Sequence, residues 1–111
     1  MNNLTNFYKI LSDETRIRIL MLLKQKKLCV CELCGIMEES QPKISKHLAK
    51  LRDIGLIIDE RHQQFVFYSL RKDNKLYLDT LNILVEAIDD YPLIKKDLEK
   101  SKDAEKYIES K

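Results

Sequence analysis

Tryptophan is absent from this 111-residue chain, and histidine, glycine and proline occur only twice each. There is no Gly-rich phosphate loop, no nucleophile beside a matched base, and no His–Glu metal pair at helical spacing. The common enzyme signatures are therefore missing, and no organic cofactor is expected. No apolar run approaches the roughly 20 residues of a membrane-spanning helix. The opening MNNLTNFYKI has neither the basic nor the apolar region of a secretory signal. These absences predict a cytoplasmic protein without membrane contact. Repeats and low-complexity linkers are also lacking. With 44% hydrophobic and 34% charged residues, the composition is that of a soluble globular domain rather than a disordered chain, and the length fits one domain.

Cysteine is scarce but concentrated. All three thiols, Cys29, Cys31 and Cys34, fall in LCVCELC between Leu28 and Cys34. Reduced cytosolic thiols do not form a disulfide framework, and an odd count leaves one over. Three clustered thiols point instead to a soft-metal or metalloid site, or to redox chemistry. At about 100° per residue, Cys31 and Cys34 lie about 60° apart on one helix face, with Cys29 about 160° from Cys31. An undistorted helix cannot aim all three at one atom. Either Cys29 precedes the helix, or the first turn unwinds around an ion. Zinc usually takes four ligands, and no histidine is near, so three thiolates suit a three-coordinate thiophilic ion. Buried cysteines acting as small apolar residues explain one or two thiols well but three in six residues poorly. An Fe–S cluster generally takes four cysteines, which a dimer would have to share.

The remaining pattern is mostly helical. Leu4, Phe7, Tyr8 and Leu11 predict an amphipathic N-terminal helix. SDETRIRILMLLKQ predicts a second, capped by Ser12 or Asp13, with Ile17, Leu20, Met21 and Leu23 inside. The cysteine segment predicts a short helix over 30–37. SQPKISKHLAKLRDIGLI predicts a helix over 41–54, capped by Ser40, tolerant of Pro42 in its first turn, and stopped by Gly55. Its apolar stripe is Ile44, Leu48, Leu51 and Ile54. LIIDE and FVFYSL predict a β-hairpin around RHQQ. Without Gly, Asn or Asp at the turn, a mobile loop longer than two residues is expected. A helix over 74–88 carries two adjacent stripes, wider than a one-sided surface helix needs. Pro92 breaks it, and the charged remainder has a thin stripe (Ile94, Leu98, Ile108) suited to a loosely held helix.

The 30–37 and 41–54 pair joined by a tight turn is a helix-turn-helix, and the hairpin behind it makes the motif winged. The fold class is therefore mainly α with a small β-hairpin. Residues 1–92 form the winged unit, and 93–111 form a charged extension. Net charge is only +2, but from Gln41 to Arg71 six cations face three acids. With Ile44, Leu48 and Leu51 turned inward, Gln41, Lys43, Lys46, His47 and Lys50 lie mostly outside, with Ser45 near the helix start. A recognition helix applies such residues to base edges and phosphates of double-stranded DNA. Arg52, Arg61 and His62 can grip phosphates from the flank and wing. A merely solvated face has similar composition, and His47 can instead hold the turn from the core edge.

LSDETRIRIL, LCVCELC and SQPKISKHLAKLRDIGLI, followed by a wing and a further helix, resemble the ArsR/SmtB family of metal-sensing winged-helix repressors. The cysteine phrase resembles its arsenic-responsive branch. The resemblance spans residues 4 to 88. It implies a homodimer, paired through the first helix and the 74–88 helix, that represses from operator DNA. Trivalent arsenic or antimony, held by Cys29, Cys31 and Cys34, would act as inducer. Members with a zinc or nickel site on the last helix carry histidine and acidic ligands that this chain lacks. The cadmium and lead branch has an N-terminal cysteine, also missing here, and the glycine often found at the wing tip is absent. A thiol redox switch, or a cadmium, bismuth or lead sensor on the same fold, is the alternative.

Overall fold

Asp13, not Ser12, opens the second helix of the computed structural model, which describes residues 2–109; the Asp13 carboxylate accepts a hydrogen bond from Arg16 N at 3.1 Å. Helix α1 (Asn2–Ile10) precedes it, and α2 runs over Glu14–Gln25. The inner face of α2 is wider than the predicted stripe. Every residue from Arg18 to Leu23 is buried, because the helices over Gln41–Asp53, Lys75–Glu86 and Pro92–Lys100 and the strand over Phe65–Leu70 surround it. Helix α1 contributes the fully buried Phe7, stacked on Tyr77 at 4.2 Å, while Tyr8 stays exposed.

A two-residue strand, β1 (Leu28–Cys29), follows and was not foreseen. Helix α3 covers Val30–Met37, as predicted, and ends at Glu38 in the left-handed region (φ 55°). Helix α4 covers Gln41–Asp53. Ser40 caps it, Pro42 sits in its first turn, and Ile44, Leu48 and Leu51 are fully buried. Gly55, at φ 86°, occupies the position after the helix where a left-handed conformation favours glycine.

The expectation of a wing loop longer than two residues is corrected. Strands β2 (Ile57–His62) and β3 (Phe65–Leu70) pair all the way to His62 opposite Phe65, so only Gln63 and Gln64 turn the chain. Gln63 adopts φ 59° in place of the missing glycine. Strand β1 pairs antiparallel with β3, giving a three-stranded sheet in the order β1-β3-β2. Two residues carry too little pattern to announce a strand; β1 exists because β3 offers it an edge.

Helix α5 covers Lys75–Glu86, slightly shorter than predicted, and a 3-10 turn at Ile88–Asp90 follows. Leu81 is fully buried, but Leu76 and Ile83 are 44% and 64% exposed. Pro92 does not break that helix, which has already ended at Glu86; it starts the next one, α6 (Pro92–Lys100). A short helix, α7 (Lys106–Glu109), follows a second 3-10 turn.

The remainder is not loosely held. Asp97 is buried and accepts from Arg18 Nε and Nη2 at 2.7 and 2.9 Å. Ala104 is fully buried in the common core. Lys100 Nζ reaches Gly35 O at 3.4 Å and Glu38 Oε2 at 3.3 Å. The tail thus packs on α2 and α3 through one buried ion pair, a few small side chains and a ring, none of which shows as helical periodicity. Residues 110 and 111 of the predicted extension, like Met1, lie outside the described residues. Among those described, no helix is long and apolar enough to cross a membrane.

Candidate functional site

The three thiols straddle a junction between sheet and helix. Cys29 is the last residue of β1, opposite Phe67, and also the N-cap of α3. Cys31 and Cys34 lie within the helix. Of the two geometric options, the structure adopts the one in which Cys29 precedes the helix. Cys29 is 1% exposed, whereas Cys31 and Cys34 are half-buried. Burial pushes the Cys29 thiol up to about 11, and the neighbouring charge of Glu32 adds to the rise.

All three thiols line one cavity of about 210 Å³. Gln41, the first residue of α4, also lines it, together with Val30 and with Gln64, Phe65 and Val66 from the wing. The donors are chemically right for a thiophilic ion. They are nevertheless not gathered: among the described residues, no group of three potential ligands is placed to hold a metal. Closing them on one centre requires Cys29 to move or the first turn of α3 to deform.

The residues predicted for DNA contact divide into two sets. Gln41, Lys43, Lys46, Lys50 and Arg52 are exposed along α4, and Arg61 and His62 are exposed at the end of β2. Ser45 is half-buried and accepts from Gln41 Nε2 at 2.8 Å. Lys43 pairs with Glu39 at 3.1 Å, and Arg52 pairs with Asp59 on the wing strand at 3.4 Å. His47 faces the protein: half-buried, its Nδ1 accepts from Arg16 Nε at 3.2 Å. Burial lowers its pKa from 6.5, and the cations Arg16, Lys43 and Lys50 reinforce this against the pull of Asp13. His47 therefore fastens α4 to the start of α2, the core-edge role, rather than standing on the open face.

Two parts of the site escape sequence reasoning. Glu32 is buried, and its Oε1 accepts from Cys29 N at 3.0 Å, fixing the entry of α3. A glutamate three residues after an N-cap is a recognisable signal, but cysteine is not a usual cap residue. The wing residues of the cavity wall carried no signal, because only the β1–β3 pairing brings them there.

The family model described as "Bacterial regulatory protein, arsR family" matches residues 13–59, from the cap of α2 to the start of the wing. The chain is 31% identical to HlyU from Vibrio cholerae, with a TM-score of 0.72 covering 78% of this chain and 91% of that one. The chain belongs to the arsR family. This arsR-family chain is also 52% identical over 64 residues to the arsenical resistance operon repressor of Escherichia coli, covering 57% of the chain and 55% of that relative. An arsenic resistance transcriptional regulator of Pseudomonas putida is 44% identical over 75 residues, 67% of the chain and 59% of the relative. The chain thus spans little more than half the length of these curated relatives. The helical architecture with a small antiparallel sheet, expected from the sequence, is that of a winged helix-turn-helix, with α3 and α4 as the helix pair and β2–β3 as the wing.

Proposed function

We propose that this arsR-family chain is a homodimeric transcriptional repressor that binds double-stranded operator DNA and releases it when Cys29, Cys31 and Cys34 take up trivalent arsenic or antimony. The observation that carries the reading is that all three thiols line one cavity together with Gln41, the first residue of α4. The names of the two similar relatives support a metalloid inducer. In this reading Lys43, Lys46, Lys50, Arg52, Arg61 and His62 hold phosphates, Gln41 and Ser45 approach base edges, and His47 positions α4. The exposed apolar side chains Tyr8, Leu76 and Ile83 support pairing of two copies through α1 and the 74–88 region. Residues 1–92 are the DNA-binding and dimerisation unit, and 93–111 are an extension whose described part is braced against α3 through Lys100 and Tyr107. The cytoplasm, where thiols stay reduced, suits this work.

Drawing three thiols together distorts the first turn of α3, the helix that supports α4. Tighter binding of the ion to that distorted state shifts the equilibrium away from the DNA-competent one. A coupling of about 1–3 kcal/mol is typical of such linkage. The test is anisotropy of a labelled operator-like duplex bound by the reduced protein, with arsenite added while thiolate–metalloid absorption is followed. Cys31→Ser and Cys34→Ser should bind the duplex as the parent does and fail to release it. Release by both variants at the parent concentration would remove these cysteines as ligands. Absorption without release would move the reading to cadmium, bismuth, lead or an oxidant as the effector.

A further inference from the structure

The cavity has a second wall, and that wall belongs to the wing. Strand β3 holds Cys29 through the Cys29–Phe67 pair, and Gln64, Phe65 and Val66, just before that pair, line the same cavity as the thiols. The same strand continues into the two-residue turn and so to Arg61 and His62. Cys29 and the tip of the wing are therefore linked by one short run of paired backbone.

The far end of α3 is anchored. Arg18 Nη2 donates to Met37 O at 3.4 Å, and Arg18 is itself locked by Asp97. Lys100 donates to Gly35 O, and the Tyr107 ring lies directly on Gly35, leaving no room for a Cβ there. With its C-terminal half clasped, α3 cannot slide as a body toward Cys29. The movement that gathers the thiols falls on the first turn and on β1, which has only two pairs to β3.

We infer that the wing is a second output of the thiol site: gathering the cysteines displaces β3 and re-aims Arg61 and His62, with Phe65 and Val66 as positioning residues. This deepens the function proposed above and rests on it. Release of DNA then follows from two changes at once, at the start of α4 through Gln41 and at the wing through β3.

The experiment uses the full chain, reduced and labelled with ¹⁵N, titrated with arsenite. Amides of Ile58 to His62, which do not line the cavity, should shift with the same midpoint as those of Cys29 to Cys34, while Tyr107 stays in place. In parallel, Phe65→Ala and Val66→Ala should keep the thiolate–metalloid absorption and its stoichiometry. The ratio of DNA affinities without and with arsenite should fall from about tenfold or more in the parent to about threefold or less in the variants. Shifts confined to residues 28–36, with the ratio unchanged in both variants, would overturn the inference and leave the sensor intact. No absorption change, or no DNA release by the parent protein, would instead defeat the sensor reading on which the inference stands.

Discussion

The two ends of α3 are held in opposite ways. At the C-terminal end, an arginine, a lysine and a tyrosine from three different segments close on Gly35, Met37 and Glu38. At the N-terminal end, a buried cysteine caps the helix from a two-residue strand, a buried glutamate holds its N–H, and a cavity opens beside it. Eight residues thus join a fixed anchor to a deformable entrance. A switch needs both, since a ligand that distorts a freely floating helix moves the helix, whereas one that distorts a clasped helix moves what lies at the loose end.

The comparison breaks most severely at Asp97. Asp97→Ala leaves Arg18 charged, buried and unpaired, which should cost about 3–5 kcal/mol. Urea unfolding measures it, and a loss below about 1 kcal/mol would mean that the clasp is not a structural anchor. Gly35→Ala comes next. Its Cβ would collide with the Tyr107 ring, an overpacking worth about 1–3 kcal/mol. Adding Tyr107→Ala should recover part of that loss, and a double mutant whose losses simply add would place the ring elsewhere.

The wing turn, beyond the cavity at the N-terminal end of α3, should respond with the opposite sign. Gln63 is held at φ 59°, so Gln63→Gly should stabilise the protein by about 0.5–1 kcal/mol. A lower melting temperature in that variant would mean that the Gln63 side chain contributes more than its backbone costs.

The smallest effect concerns the seam between α2 and α4. Because the pKa of His47 is lowered from 6.5 in the folded state, the unfolded chain takes up the proton first as pH falls. Stability from this group is complete above 6.5 and declines as pH drops from 6.5 toward the folded value. His47→Gln should flatten that part of the melting-temperature profile. An unchanged slope would assign it to other groups.

Much of the scaffold was legible in the chain. The stripe of Ile44, Leu48 and Leu51 with Ser40 before it and Gly55 after it specifies α4 through local periodicity and capping alone, and all three apolar residues are fully buried. That the three thiols come together was equally plain from their spacing, and all three line one cavity. The wing turn was misread because Gln63 pays a local cost that pairing along six residue pairs outweighs. The tail was misread because Asp97, Ala104 and Tyr107 matter through what they meet, and a buried aspartate cannot be told from a surface one until its arginine is found 79 positions away.

By itself, then, the sequence determined the order of helices, the helix-turn-helix, the hairpin, and the clustering of the three thiols. These are consequences of short-range periodicity and of chemistry carried by single side chains. Tertiary structure alone decided that Cys29 belongs to a sheet, that His47 turns inward, that the wing and the thiols line one cavity, and that α3 is clasped at its C-terminal end and bordered by that cavity at the other. Each of these depends on contacts between residues far apart in the chain, where the free energy of burial and pairing is set by the partner and not by local pattern.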